Sequence, residues 1–311
     1  MKQVIKLKQK RISTGLILFA SLLWGTTGTA ASIIPNVSPF AIGAFSMGLG
    51  GILLAMYARN TIRKDRVVLH ANRGVLLIGS LALAVYPLAF YSSMSMAGVT
   101  IGTVISISCA PFFVATLECL LGKVRVIDRH WVLSFFVGIL GIGLLVFSDT
   151  SIAISPSGME YYVGIALGGL AGLAYAIYAW VAKILINKGA HAKSAMGAIF
   201  GFGSILLIPS LLITGDNLFS STLSISVVLY LAFIPMFLGY VCFGYSLKAI
   251  TATQASLFTL FEPVVAAIFA VLVVGERIEQ SGWVGIGLIM MCLFLQSYQP
   301  KSKYNLASQS E

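Results

Sequence analysis

Ten apolar runs, each close to twenty residues long and joined by short connections, leave this chain very few ways to fold. They lie at about 12–33, 38–58, 74–96, 99–121, 131–148, 161–182, 195–214, 225–247, 252–274 and 281–298. Roughly 17–25 apolar residues in a helix cross the ~30 Å hydrocarbon core of a bilayer. Inside that core a backbone must satisfy its own hydrogen bonds, which a helix does within one segment. The expectation is an all-α membrane protein with ten transmembrane helices. Composition agrees, because only 10% of residues are charged and 58% are hydrophobic, against about 25% charged in soluble domains. The basic start followed by an apolar stretch resembles a signal peptide, but the stretch from Ile12 to Ile34 is longer than the ~7–15 residues of a cleavable core. It reads as an uncleaved first helix.

The net charge of +10 would suit nucleic acid, but its placement argues against such a partner. Lys and Arg lie in the short segments between apolar runs. With the N-terminus inside, only Arg277 of the 20 Lys and Arg falls on the outer side. Asp149, Glu160, Asp216, Glu276 and Glu279 fall there too. The positive-inside rule produces this asymmetry, and adding or removing one span would invert every later loop. A multi-pass protein with both termini in the cytoplasm is expected.

The two halves echo one another. Ala97, Pro111 and Trp131 pair with Ala249, Pro263 and Trp283 at one common offset, and Gly122 and Gly275 follow the aligned prolines at nearly equal distances. Pro87 and Pro235 interrupt the third and eighth runs. Five spans per half is an odd number, so the second half enters the membrane from the opposite side. Two inverted five-helix repeats are expected, at 12–148 and 161–298. Many secondary transporters share this architecture and hold substrate near mid-membrane between the repeats. Gly164, Gly168 and Gly172 recur along one face of the sixth run, a spacing that lets helix backbones approach closely.

Chemistry is sparse in these runs. Glu262, in Leu260-Phe261-Glu262-Pro263, is the one clear acid at mid-membrane depth. A carboxylate there is costly and rarely lacks a role or a partner. Three roles are open: a structural acceptor for hydroxyls or for backbone loosened by Pro263, a proton carrier, or a contact for a substrate amine. Gln254 and Phe258 precede it on one helical stripe. Trp24, Tyr86, Tyr91, Tyr175, Tyr178 and Tyr240 lie within spans and are the other candidates for a lined cavity. Thr26, Thr27, Thr29, Thr103, Ser106 and Ser108 offer hydroxyls, although such groups often bond back to their own helix. Tyr161, Tyr162, Tyr298, Trp131 and Trp283 fit the interfacial belt. Glu118, near Lys123 and Arg125, reads as a side chain snorkelling to the interface.

Cys109, Cys119, Cys242 and Cys292 sit in apolar runs without metal-ligand spacing, and His70, His130 and His191 sit in loops. No metal, cofactor or catalytic pattern is expected, and no glycine-rich loop followed by Lys-Ser or Lys-Thr suggests ATP hydrolysis. The competing reading is an integral-membrane enzyme or sensor for lipid-linked or small amphipathic ligands.

The run Leu257-Phe258-Thr259-Leu260-Phe261-Glu262-Pro263-Val264-Val265-Ala266-Ala267, with Gly275-Glu276-Arg277 and Gly282-Trp283-Val284-Gly285, resembles the second repeat of the EamA-like family of the drug/metabolite transporter superfamily. Trp24-Gly25 and Ala110-Pro111 look like its first-repeat counterparts. The resemblance covers about 14–298 and implies a permease or exporter of the cell inner membrane. Its substrates would be small metabolites, amino acids or drugs, moved by alternating access. It also implies that spans one to four and six to nine line the cavity, with five and ten at the edge or at a homodimer contact. Ala110 stands where the second repeat has Glu262, so a proton coupled through this acid would meet one carboxylate only. Membrane lipids complete the expected partners.

Overall fold

In a computed structural model, which describes residues 2–97, 99–121, 127–147, 159–274 and 279–297, every described segment of regular structure is helical. The helices are α1 (Lys2–Gly25), α2 (Thr27–Ser32), α3 (Pro39–Lys64), α4 (Arg66–Ala71), α5 (Arg73–Ala97), α6 (Val99–Leu120), α7 (Arg129–Phe147), α8 (Met159–Asn187) and α9 (Ala192–Thr214). They are followed by α10 (Thr222–Leu231), a π-helical turn at Ala232–Gly239, α11 (Tyr240–Ser246), α12 (Ala252–Phe258), α13 (Phe261–Phe269), a second π-helical turn at Ala270–Val274, and α14 (Gln280–Ser297). Gly98, Gly122, Lys123, Arg125, Asp149, Gly275-Glu276-Arg277 and Tyr298 lie outside the described residues.

Among the described residues, seven helical stretches are long and apolar enough to cross a membrane: Gln9–Ser32, Pro39–Lys64, Arg73–Ala97, Met159–Asn187, Ala192–Thr214, Thr222–Ser246 and Ala252–Val273. The apolar runs Ile105–Leu120, Arg129–Leu144 and Gln280–Leu295 are shorter. Large side chains such as Leu212 (91% exposed) and Leu272 (77%) point outward. In water that surface would drive association; facing lipid it has no such cost. The buried core combines small residues, rings and aliphatic chains, including Ala20, Ala44, Ala176, Tyr178, Phe200, Phe243, Leu83 and Ile199.

Helix pairing is dominated by α3 on α9, α5 on α8 and α7 on α14. Helix α6 also packs on α8, while α1 lies against α11 and α13. The glycine stripe of α8 works at this level. A Cβ on Gly164 would lie 2.7 Å from the Ala97 amide, and one on Gly172 would lie 2.8 Å from the Ser106 carbonyl. Any larger residue would therefore push α8 away from α5 and α6.

Two helices near the middle of the bundle are irregular, and proline explains each. Proline has no amide hydrogen and its ring collides with the carbonyl four residues earlier. Pro235 falls inside the first π-helical turn. Pro263 would clash at Thr259, and the helix divides there into α12 and α13. The Thr259 carbonyl accepts from the Glu262 amide at 2.9 Å instead. By contrast α5 and α6 carry Pro87 and Pro111 without interruption.

Trp131 is buried (4% exposed) and stacks on Phe135 with centroids 4.9 Å apart, so it is a packing residue of α7 and not an interfacial anchor. Tyr162 and Trp283 do face outward. Cys242 and Cys292 are buried and all four cysteines are free thiols.

Candidate functional site

The division of the helix at Thr259 turns Glu262 into a recess between helices. Trp24 and Thr27 close it from the α1–α2 junction, Gly43, Ser46 and Met47 from α3, and Tyr86, Pro87, Phe90 and Tyr91 from α5. Helix α6 adds Ser106, Ile107 and Ala110, α8 adds Tyr175, and Met236 and Tyr240 come from the π-helical turn and α11. Thr259 and Glu262 complete it, and the cavity among these residues is about 50 Å³, room for a few waters and small beside the roughly 300–1,000 Å³ of pockets that hold small organic molecules.

The rings form one connected cluster. Trp24 meets Tyr240 with centroids 4.8 Å apart, and Tyr86 meets Tyr175 at 6.2 Å. Trp24 donates its Nε1 hydrogen to the Pro235 carbonyl at 2.9 Å, so the irregular turn fixes the indole. Tyr178 and Tyr240 share a hydrogen bond at 2.9 Å between their hydroxyls. Close approach at the α1 end depends on Gly25, where a Cβ would sit 2.6 Å from the Val265 Cβ and 2.8 Å from the Glu262 carbonyl. Trp24-Gly25 and Glu262-Pro263, distant in sequence, therefore meet side by side.

Of the side chains singled out from sequence, Glu262, Trp24, Tyr86, Tyr91, Tyr175 and Tyr240 line this recess. Tyr178 is fully buried behind it. Gln254 is elsewhere: it forms a capping box with Thr251 at the start of α12. The stripe expected from a straight helix does not continue through the break at Thr259. Among the hydroxyls, Thr27 and Ser106 reach the recess, Thr26 bonds to Leu23 and Tyr230, and the Thr103 side chain is not among those described. Phe90, Ser46 and Met236 had no sequence signal beyond lying within two apolar runs and beside Pro235.

The Glu262 carboxylate makes no hydrogen bond and no ion pair among the described residues. No Lys, Arg or His contributes to the recess. The threonine hydroxyls nearby are engaged with backbone, Thr27 donating to the Trp24 carbonyl at 2.6 Å and Thr259 to the Ser256 carbonyl at 2.7 Å, whereas the buried Tyr175 hydroxyl has no hydrogen-bond partner. Among the described residues no three His, Cys, Asp or Glu gather as metal ligands do.

A second buried acid corrects the sequence reading. Glu118 does not snorkel: it is 5% exposed and caps the start of α12. Its carboxylate accepts from the Ala252 amide at 2.9 Å, the Thr253 amide at 3.2 Å and the Thr253 hydroxyl. Lys183 of α8 grips the same connection, donating to the Leu247 carbonyl and, at 2.8 Å, to the Ile250 carbonyl. Opposite charges on two helices thus hold the 247–253 connection at both of its ends. The residues involved are up to 135 positions apart, which is why neighbours in sequence suggested otherwise.

At the same end of the bundle Asp65 caps α9. It accepts from the His191 amide at 2.7 Å and lies 2.9 Å from His191 Nδ1. Burial works to raise the Asp65 pKa, but the polar contacts of Ser194 and His191 and the charge of His191 outweigh it and hold the carboxyl below its ordinary value.

The model of the EamA-like transporter family matches residues 12–147 and 162–298. The uncharacterized transporter YwfM of Bacillus subtilis is 29% identical over 92% of this chain and 94% of its own. An uncharacterized transporter of Clostridium kluyveri is 25% identical, covering 93% and 94%. One from Archaeoglobus fulgidus is 27% identical, covering 88% and 94%. A solved crystal structure superposes with a TM-score of 0.74 at 16% identity, covering 91% of this chain and 95% of that one, a likeness of fold alone.

Proposed function

The chain belongs to the EamA-like transporter family, and from that membership we propose that it is a secondary carrier working by alternating access. It is a multi-pass membrane protein, and its substrate is a small molecule. The observation that carries the mechanism is the recess around Glu262, an unpaired carboxylate among aromatic rings where helices from both halves of the chain meet.

In this reading all ten apolar helices cross a cytoplasmic membrane as two inverted repeats, 12–148 and 161–298, with both termini inside. The helix pairing supports it. An inverted two-fold maps α3 onto α9 and α7 onto α14, and these are dominant mutual contacts. It also maps the contact of α5 with α8 onto that of α11 with α1, and the contact of α6 with α8 onto that of α13 with α1. The repeats differ where chemistry is concentrated. The second breaks its helix at Pro263 and carries Glu262; the first keeps α6 continuous through Pro111 and carries Ala110. Repeats that move against one another around a fixed central site are the usual basis of alternating access.

The end bearing the basic loops is closed by Glu118 and Lys183, which tie the 247–253 connection to α6 and α8. Opening toward that end requires these bonds to break. The recess therefore belongs to a conformation closed at the cytoplasmic side. Glu262 is the group that takes up substrate or a coupled proton.

A metabolite-wide comparison of uptake and retention tests the reading, in cells carrying the wild-type chain, carrying Glu262→Gln, or lacking the protein. At least one small solute is expected to shift with the wild type and not with the variant. A profile indistinguishable from cells lacking the protein would sink the carrier reading. A variant profile identical to wild type would remove Glu262 from the mechanism.

A further inference from the structure

We propose that the recess selects an organic cation lacking a carboxylate, a flat or apolar amine whose ammonium group sits at Glu262. The inference rests on the carrier reading and narrows its substrate.

A carboxylate drawn out of bulk water into a half-buried recess is costly unless a charge or hydrogen bonds compensate it. Glu262 has neither among the described residues. The hydroxyls beside it, on Thr27 and Thr259, already donate to backbone carbonyls. The basic residue on α8, Lys183, is committed to the Leu247 and Ile250 carbonyls. The Tyr175 hydroxyl in the recess has no hydrogen-bond partner, but no positive charge lines the recess to match Glu262. An ammonium supplies one directly.

The rings strengthen the case for a cation. Trp24, Tyr86, Tyr175 and Tyr240 share the recess with Glu262. The faces of such rings carry partial negative charge and attract cations lying within about 6 Å. A proton could neutralise Glu262, but it would gain nothing from four rings. The same lining disfavours a zwitterion. An amino acid brings a carboxylate that needs its own countercharge, and no Lys, Arg or His lines the recess to provide it.

The cavity is about 50 Å³ in this conformation, so seating the proposed amine requires the helices around the recess to part.

The test uses purified full-length protein in lipid nanodiscs at one fixed pH. Four probes share a benzene ring: 2-phenylethylamine, benzyltrimethylammonium, 2-phenylethanol and phenylalanine. Binding is read by thermal shift and by tryptophan fluorescence. The two cations are expected to bind at least roughly tenfold more tightly than the alcohol and the zwitterion, the scale of one buried charge contact. Glu262→Gln should abolish that preference and Glu262→Asp should keep part of it. Should Glu262→Gln fail to fold, the ranking of probes on the wild type and Glu262→Asp still decides. Equal binding of alcohol and cation overturns the proposal. So does tighter binding of phenylalanine, unchanged cation binding in Glu262→Gln, or no binding of either cation. A flux assay in proteoliposomes separates the two levels. Cation binding without any flux would refute the carrier and leave the ligand class standing; flux of a neutral or anionic solute that survives Glu262→Gln would do the reverse.

Discussion

Replacing Glu118 by Ala should weaken the bundle and loosen its basic end. The carboxylate accepts three donors, the amides of Ala252 and Thr253 and the Thr253 hydroxyl. Without it those donors face a site that is 5% exposed in the wild type, with little water to replace the bonds. At the low end of the usual scale, an orphaned buried donor costs about 1 kcal/mol, giving about 3 kcal/mol for the set. Relief of the buried charge returns part of that, so a net loss of about 2 kcal/mol is expected. At ~2 °C per kcal/mol for a chain of this length, the melting temperature of purified protein should fall by about 4 °C. Glu118→Gln keeps an acceptor oxygen and should lose about half as much. Scanning fluorimetry in one detergent measures all three proteins. A second readout follows the gate. Ser256, fully buried on α12, is replaced by Cys and exposed to an impermeant maleimide from the side of the basic loops. Labelling should be slow in the parent and faster with Glu118→Ala. If both Glu118 variants melt within about 1 °C of wild type and label no faster, the carboxylate does not hold the 247–253 connection.

Other outcomes follow from the same contacts. Gly25→Val should abolish folding or transport, because a Cβ there lies 2.6 Å from the Val265 Cβ; normal expression and activity would contradict the close α1–α13 approach. Trp24→Phe removes the bond to the Pro235 carbonyl and should cost about 1 kcal/mol, read as a lower melting temperature. The Asp65 carboxyl is held below its ordinary value of 3.8. Its stabilising contribution is therefore complete above that pH and is lost as pH falls through the lower folded value. Asp65→Asn should flatten the acid limb of a pH–stability curve; an unchanged limb would refute the link to His191. Reporter fusions after residues 66, 155, 190 and 220 should read in, out, in, out, and one reversed reading would require a different number of spans.

What the sequence determined by itself was what depends on local hydropathy. An apolar run of twenty residues has few alternatives to a helix, so each expected run coincides with helical structure within a few residues. The family was legible for a similar reason, in contiguous segments such as Trp24-Gly25 and Glu262-Pro263. That Glu262 lines the recess was legible because an acid in an apolar run is conspicuous. Its solitude was not: absence of a partner is a property of every helix around it, and only packing revealed that Thr27 and Thr259 bond to backbone. Gln254 shows the opposite failure. Helical periodicity put it on the Glu262 stripe, but Pro263 broke the helix at Thr259 and left Gln254 in a cap. Glu118 failed for distance. Its nearest charges in sequence suggested a surface residue, whereas its true partners lie on α12, in the other half of the chain. Periodicity and charge act over a turn or a loop, while the closed end and the recess are set by contacts that only the tertiary structure brings together.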